Sequence, residues 1–135
     1  MSAKAHSKLK PTPKAKLRTT HWYRGADVPQ AAIRRFAREI AEKFKPEKII
    51  LFGSHATGRA DAGSDVDLLV VMDHPGSPMD QAVAIRLFLN YRQPLDVLVR
   101  TPAELRQRLD LGDWFLREVV ETGTILYERS DSRVD

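Results

Sequence analysis

The sequence predicts a small α/β (α+β) domain, a mixed β-sheet flanked by helices, and three observations carry that expectation. Three short runs rich in aliphatic and β-branched residues, at 48–52, 66–72 and 95–99, have strand length. Around them lie segments whose apolar residues recur every three to four positions, the helical period. A chain of 135 residues is expected to hold one core of this kind and no second large domain.

The elements follow in order. Asp27-Val28-Pro29 supplies a capping residue and a proline suited to a first helical turn. Ile33, Phe36, Ala37, Ile40 and Phe44 then form one apolar stripe until Pro46 stops the helix, with Arg34, Arg35, Arg38, Glu42 and Lys43 on the other faces. Lys48 to Phe52 is the first strand, and Val66 to Met72 is the second, joined to it by a Gly, Ser and Ala-rich loop. Pro75-Gly76-Ser77-Pro78 makes a turn before a helix over Asp80 to Tyr91, with Val83, Leu87 and Tyr91 on one face and Ala84 and Phe88 beside them. Pro94 opens a third strand, Leu95 to Val99. Thr101-Pro102-Ala103-Glu104 is a capping box with proline at the first helical position. Asp113 is expected to cap a last helix that turns Trp114, Phe115, Val119 and Val120 inward and stops at Gly123, before a final strand over Thr124 to Tyr127.

Composition narrows the function. The chain has no cysteine, so disulfides, thiolate metal sites and a cysteine nucleophile are excluded. Its longest apolar runs are too short to cross a bilayer, and no apolar signal segment follows the basic start, so a cytoplasmic location is expected. The net charge of +4 suggests nucleic acid as a partner, but its distribution argues otherwise. Residues 1–20 contain Lys4, Lys8, Lys10, Lys14, Lys16 and Arg18 and no acid, which leaves 16 basic and 18 acidic side chains elsewhere. The body is therefore slightly acidic. Residues 1–26 are expected to be a basic, flexible arm, 27–128 the folded domain and 129–135 a polar tail, with nucleic acid contact limited to weak binding by the arm.

The chemistry is concentrated in Gly53-Ser54, ten intervening residues, and Asp65-Val66-Asp67, followed later by Asp96 inside a strand. Side chains alternate along a strand, so Asp65 and Asp67 share a face. Two carboxylates there repel each other and lose hydration unless a cation sits between them. If the strand of Asp96 is a neighbour, three carboxylates converge, a donor set suited to Mg²⁺ and to two-metal phosphoryl or nucleotidyl transfer. The Gly53-Ser54 turn after a strand suits close approach of backbone to phosphate.

These residues resemble the minimal nucleotidyltransferases of the DNA polymerase β superfamily, over roughly Pro29 to Glu128. Leu51-Phe52-Gly53-Ser54, Arg100-Thr101-Pro102-Ala103-Glu104-Leu105 and Gly123-Thr124-Ile125-Leu126-Tyr127-Glu128 are similar to the stand-alone members encoded beside a HEPN-domain toxin. The resemblance implies the nucleotidyltransferase fold, with Asp65, Asp67 and Asp96 as catalytic residues and ligands of two Mg²⁺ ions, and Gly53 and Ser54 on the nucleotide's phosphates. It further implies an antitoxin that transfers AMP from ATP to a tyrosine of its HEPN partner. The alternatives are a nucleotidyltransferase acting on a small molecule and a non-catalytic antitoxin that binds and blocks its partner.

Several other residues are expected to be unremarkable. His55 is read as a partly exposed loop histidine, Asp61 as a loop residue outside the ligand set, and Asp73 as a turn residue. Arg59 stands evenly between phosphate contact and solvation, and the sequence does not choose among Arg86, Arg92 and Arg100 for a triphosphate.

Overall fold

The computed structural model describes residues 23, 28–61, 63–90 and 92–130. The arm apart from Tyr23, the Asp27 cap, Tyr91 and the tail beyond Ser130 lie outside the described residues. The elements are α1 (Gln30–Phe44), β1 (Lys48–Phe52), α2 (Ser54–Thr57), β2 (Val66–Val71), α3 (Pro78–Leu89), β3 (Leu95–Arg100), α4 (Pro102–Asp110), α5 (Trp114–Thr122) and β4 (Thr124–Glu128). One four-stranded sheet runs in the order β3-β2-β1-β4. β1 pairs antiparallel with β2 and β4, and β2 pairs parallel with β3, so the sheet is mixed as expected.

Strand alternation divides the core into two layers. Ile49, Leu51, Val66, Leu68, Val70, Leu95, Val97 and Val99 face one way and pack with Ile33, Phe36, Ala37 and Ile40 of α1 and Ile85 and Leu89 of α3. Ile50, Leu69 and Val71 face the other way and meet Leu116 and Val119 of α5, with Leu105 and Leu109 of α4 beside them. β2 is central and buried on both faces, which explains its unbroken aliphatic run after Asp67.

The caps follow local chemistry. Thr101 Oγ1 accepts from the Glu104 amide at 3.0 Å while Glu104 Oε1 accepts from the Thr101 amide at 3.1 Å, which closes the expected capping box. Asp113 Oδ1 accepts from the Leu116 amide at 3.0 Å, and Arg108 donates to Asp113 Oδ2 at 3.1 Å. That amide, with Arg108, holds the Asp113 carboxyl below its ordinary range. Pro29 is the N-cap of α1 rather than its first residue. α3 starts two residues before the expected position, because Ser77 Oγ accepts from the Asp80 amide and Pro78 fits the first turn. Arg129 continues beyond β4, its amide donating to the Glu47 carbonyl at 2.9 Å.

The fold orients one helix face and corrects another. Val83 is 49% and Leu87 60% exposed, while Ile85 and Leu89 are buried. Apolar residues nearly encircle α3, so spacing alone could not choose its inner side; packing against β3 and α1 does. In α5, Val119 points inward as expected and Leu116 is its inward partner, whereas Trp114 is 72% exposed and Val120 and Phe115 also lie outside the core. Leu116 lies about 200° around the helix from Trp114, so both cannot face the sheet.

Candidate active site

The site forms at the end of the sheet where β1 gives way to its turn. In the antiparallel register Phe52 stands opposite Asp67, and in the parallel register Asp67 stands beside Asp96. Neighbouring strands are about 4.8 Å apart, so the two carboxylates leave one face of the sheet side by side. Asp65 lies just before β2 and is exposed, as is Asp96 on the edge strand, whereas Asp67 is half-buried between them. Burial, and then repulsion from Asp96 and Asp65, push the Asp67 carboxyl up to about 6 from 3.8, while His55 pulls it back. The three expected acids therefore act on one another. Among the described residues, no group of three acidic, histidine or cysteine side chains is already drawn into a coordinating cluster.

Gly53 has a reason beyond the one expected. Its φ of +79° and ψ of −159° belong to a region that essentially only glycine visits. A Cβ built there would collide with the Asp67 carboxylate oxygen. Glycine thus lets Asp67 lie over the turn. Ser54 begins α2, and its carbonyl accepts from the Arg59 amide at 2.9 Å, folding the loop back toward the aspartates.

His55 departs from its expected role. It is only 7% exposed, and its ring donates from Nε2 to the Ser64 carbonyl at 3.4 Å. The buried ring ties α2 to the residue preceding Asp65. Asp61 stabilises the loop turn: its Oδ1 accepts from the Gly63 amide at 3.0 Å and from the Ser64 hydroxyl at 3.1 Å.

An open cleft of about 420 Å³ adjoins these residues. Its floor is Phe52, Gly53 and Asp67, one wall is Thr57 and Arg59, and the other is the face of α5 that carries Phe115, Glu118, Val119 and Thr122. Of the arginines considered from sequence, Arg59 is the one in the wall. Arg100 sits at the far end of β3 from Asp96, where Nη1 donates to the Val99 carbonyl at 2.8 Å. The α5 wall was not foreseen: Phe115, Glu118 and Thr122 share a helical face, but no residue type among them signals a site.

Comparison with known proteins bears on the family and the fold. The family model described as nucleotidyltransferase domain matches residues 33–127. A relative from Methanocaldococcus jannaschii named putative protein adenylyltransferase is 30% identical over 102 residues, covering 73% of this chain and 97% of the relative. A second protein of that organism with the same description is 32% identical over 69 residues, covering 50% of this chain and 70% of its own length. Among solved structures, a putative nucleotidyltransferase from Sulfolobus solfataricus superposes with a TM-score of 0.51 at 22% identity, covering 73% of this chain and 78% of that one. A chain from a toxin–antitoxin structure with AMP-PNP gives the same TM-score at 19% identity, covering 73% and 76%. At those identities the superpositions speak for the fold, and it is the family model together with the 30% identical relative that places this chain in the nucleotidyltransferase domain family.

Proposed function

We propose that this protein is a Mg²⁺-dependent adenylyltransferase that moves AMP from ATP to a tyrosine hydroxyl of a HEPN-domain toxin partner and so neutralises it. The observation that carries the catalytic part is the register of Asp67 beside Asp96, with Asp65 close enough to help raise Asp67. Protein transfer is supported by the description of the relatives as protein adenylyltransferases. The antitoxin role takes its direction from the sequence motifs and from the toxin–antitoxin complex among the structures of this fold.

Asp65, Asp67 and Asp96 would hold the cations, because three carboxylates, one of them destabilised by burial and by the other two, form a hard-oxygen donor set in need of positive charge. Two divalent ions held by these residues would supply charge neutralisation for the triphosphate and a lowered pKa for the acceptor hydroxyl. The chain's own groups do the positioning. The Gly53-Ser54 turn receives the phosphates, Arg59 offers a guanidinium from the cleft wall, and His55 fixes the loop that delivers Asp65. The tyrosine oxygen forms its bond to the α-phosphorus as the bond to pyrophosphate breaks, and the phenolic proton passes to Asp96, the exposed carboxylate on the edge strand. Residues 27–128 form the catalytic unit in this reading, with 1–26 and 129–135 outside it, and the setting is the cytoplasm. Among the described residues no helix is long and apolar enough to cross a membrane.

The test is intact-mass analysis of the partner after incubation with this protein, ATP and Mg²⁺. Added AMP that disappears with Asp65→Ala/Asp67→Ala supports the proposal. A partner that is neutralised but unmodified overturns the catalytic antitoxin in favour of blocking by binding. A modified small molecule beside an untouched protein overturns the choice of acceptor.

A further inference from the structure

The cleft contains an aromatic surface that neither the phosphate turn nor the aspartates account for. Phe115 lines the cleft together with Gly53 and Asp67 and is 45% exposed. Its ring meets Phe52 edge-on, with centroids 5.8 Å apart and planes at 82°. Such a contact fixes the orientation of a ring without covering all of it. Phe52 is in turn the register partner of Asp67 and the residue before Gly53, so the Phe115 ring is held at a set offset from both. Buried Val119, one turn further along α5, anchors this side of the helix to the sheet. By contrast, Trp114 is more exposed than Phe115 and does not line the cleft.

A rigid apolar ring beside a phosphate turn suits the one flat, apolar part of a nucleotide. We propose that Phe115 is the platform on which the base of the bound nucleoside triphosphate stacks, so that purines are favoured over pyrimidines by stacking area. The inference rests on the adenylyltransferase reading above and adds to it the residue that receives the base.

The test measures binding rather than transfer, by titration calorimetry with the full chain in Mg²⁺. The probes are ATP, UTP and inorganic tripolyphosphate, which carries the phosphates without a base. Phe115→Ala is expected to weaken ATP binding about tenfold or more, as loss of a base–aromatic stack does. Tripolyphosphate binding should stay unchanged and the preference for ATP over UTP should disappear. Phe115→Trp should retain ATP binding, whereas Phe115→Leu, which keeps apolar bulk without the π-face, should not. ATP binding by Phe115→Ala at the wild-type level overturns the inference, even if protein modification falls, because Phe115 would then serve the acceptor. Equal loss of ATP and tripolyphosphate also overturns it, since Phe115 would then be merely structural. A wild-type chain that binds none of the three probes removes the adenylyltransferase reading itself, and the inference with it.

Discussion

Replacing Asp67 with asparagine should make the metal-free protein more stable while abolishing transfer. The Asp67 carboxyl is pushed up from 3.8 to about 6 by burial and by Asp96 and Asp65. A shift of that size corresponds to at most about 3 kcal/mol against folding when the group is ionised. Solvent reaches the open side of the group and screens it, which reduces the figure to about 1–2 kcal/mol. Asparagine keeps the shape, fits above Gly53 and carries no charge. Above about pH 6 wild-type Asp67 is charged both folded and unfolded, so the penalty is complete; below 3.8 it is neutral in both states and the penalty is gone. Asp67→Asn should therefore melt about 5–10 °C above wild type at pH 7.5, and the gap should close as pH falls from about 6 to about 4. Thermal denaturation of both proteins across that range, without metal, measures this directly. Added Mg²⁺ should raise the wild-type midpoint and leave the variant nearly unchanged. A variant no more stable than wild type at pH 7.5, or a gap independent of pH, would refute the electrostatic account of the site.

Three further outcomes are expected. Asp96→Asn should reduce AMP transfer at least about a hundredfold while the circular dichroism spectrum stays native, since Asp96 is exposed on an edge strand and carries little of the fold. Gly53→Ala should cost roughly 1–3 kcal/mol in urea denaturation and also lose transfer, because the backbone there suits only glycine and the new Cβ would displace Asp67. Thr101→Ala should cost about 1 kcal/mol through the lost capping box and leave nucleotide binding intact, since none of the residues lining the cleft comes from α4.

Elements defined by near neighbours were legible in the sequence. The strands at 48–52, 66–72 and 95–99, the capping box at 101–104 and the cap at Asp113 depend on alternation and on bonds spanning three residues, and the structure reproduces them within a residue or two. Where an element's side depends on what covers it, the pattern was not enough. α3 has apolar residues almost all round, and α5 places Trp114 and Leu116 on opposite sides, so only the facing sheet selects Leu89 over Leu87 and Leu116 over Trp114. His55 shows the same limit: no local pattern reveals that its ring is enclosed and bonded to the Ser64 carbonyl nine residues on.

What the sequence determined by itself was the chemical inventory. Asp65, Asp67 and Asp96 supply the carboxylates and Gly53 the conformational freedom of the turn, whatever surrounds them. What only the tertiary structure decided was distance. The parallel pairing of β2 with β3 brings Asp96 beside Asp67 across 29 positions of chain, Gly53 proves to be glycine because Asp67 lies against it, and α5 supplies a wall with Phe115 that no motif announced. Strand register is set by which faces must be buried, a property of the whole sheet rather than of any segment, and the site exists only once that register is chosen.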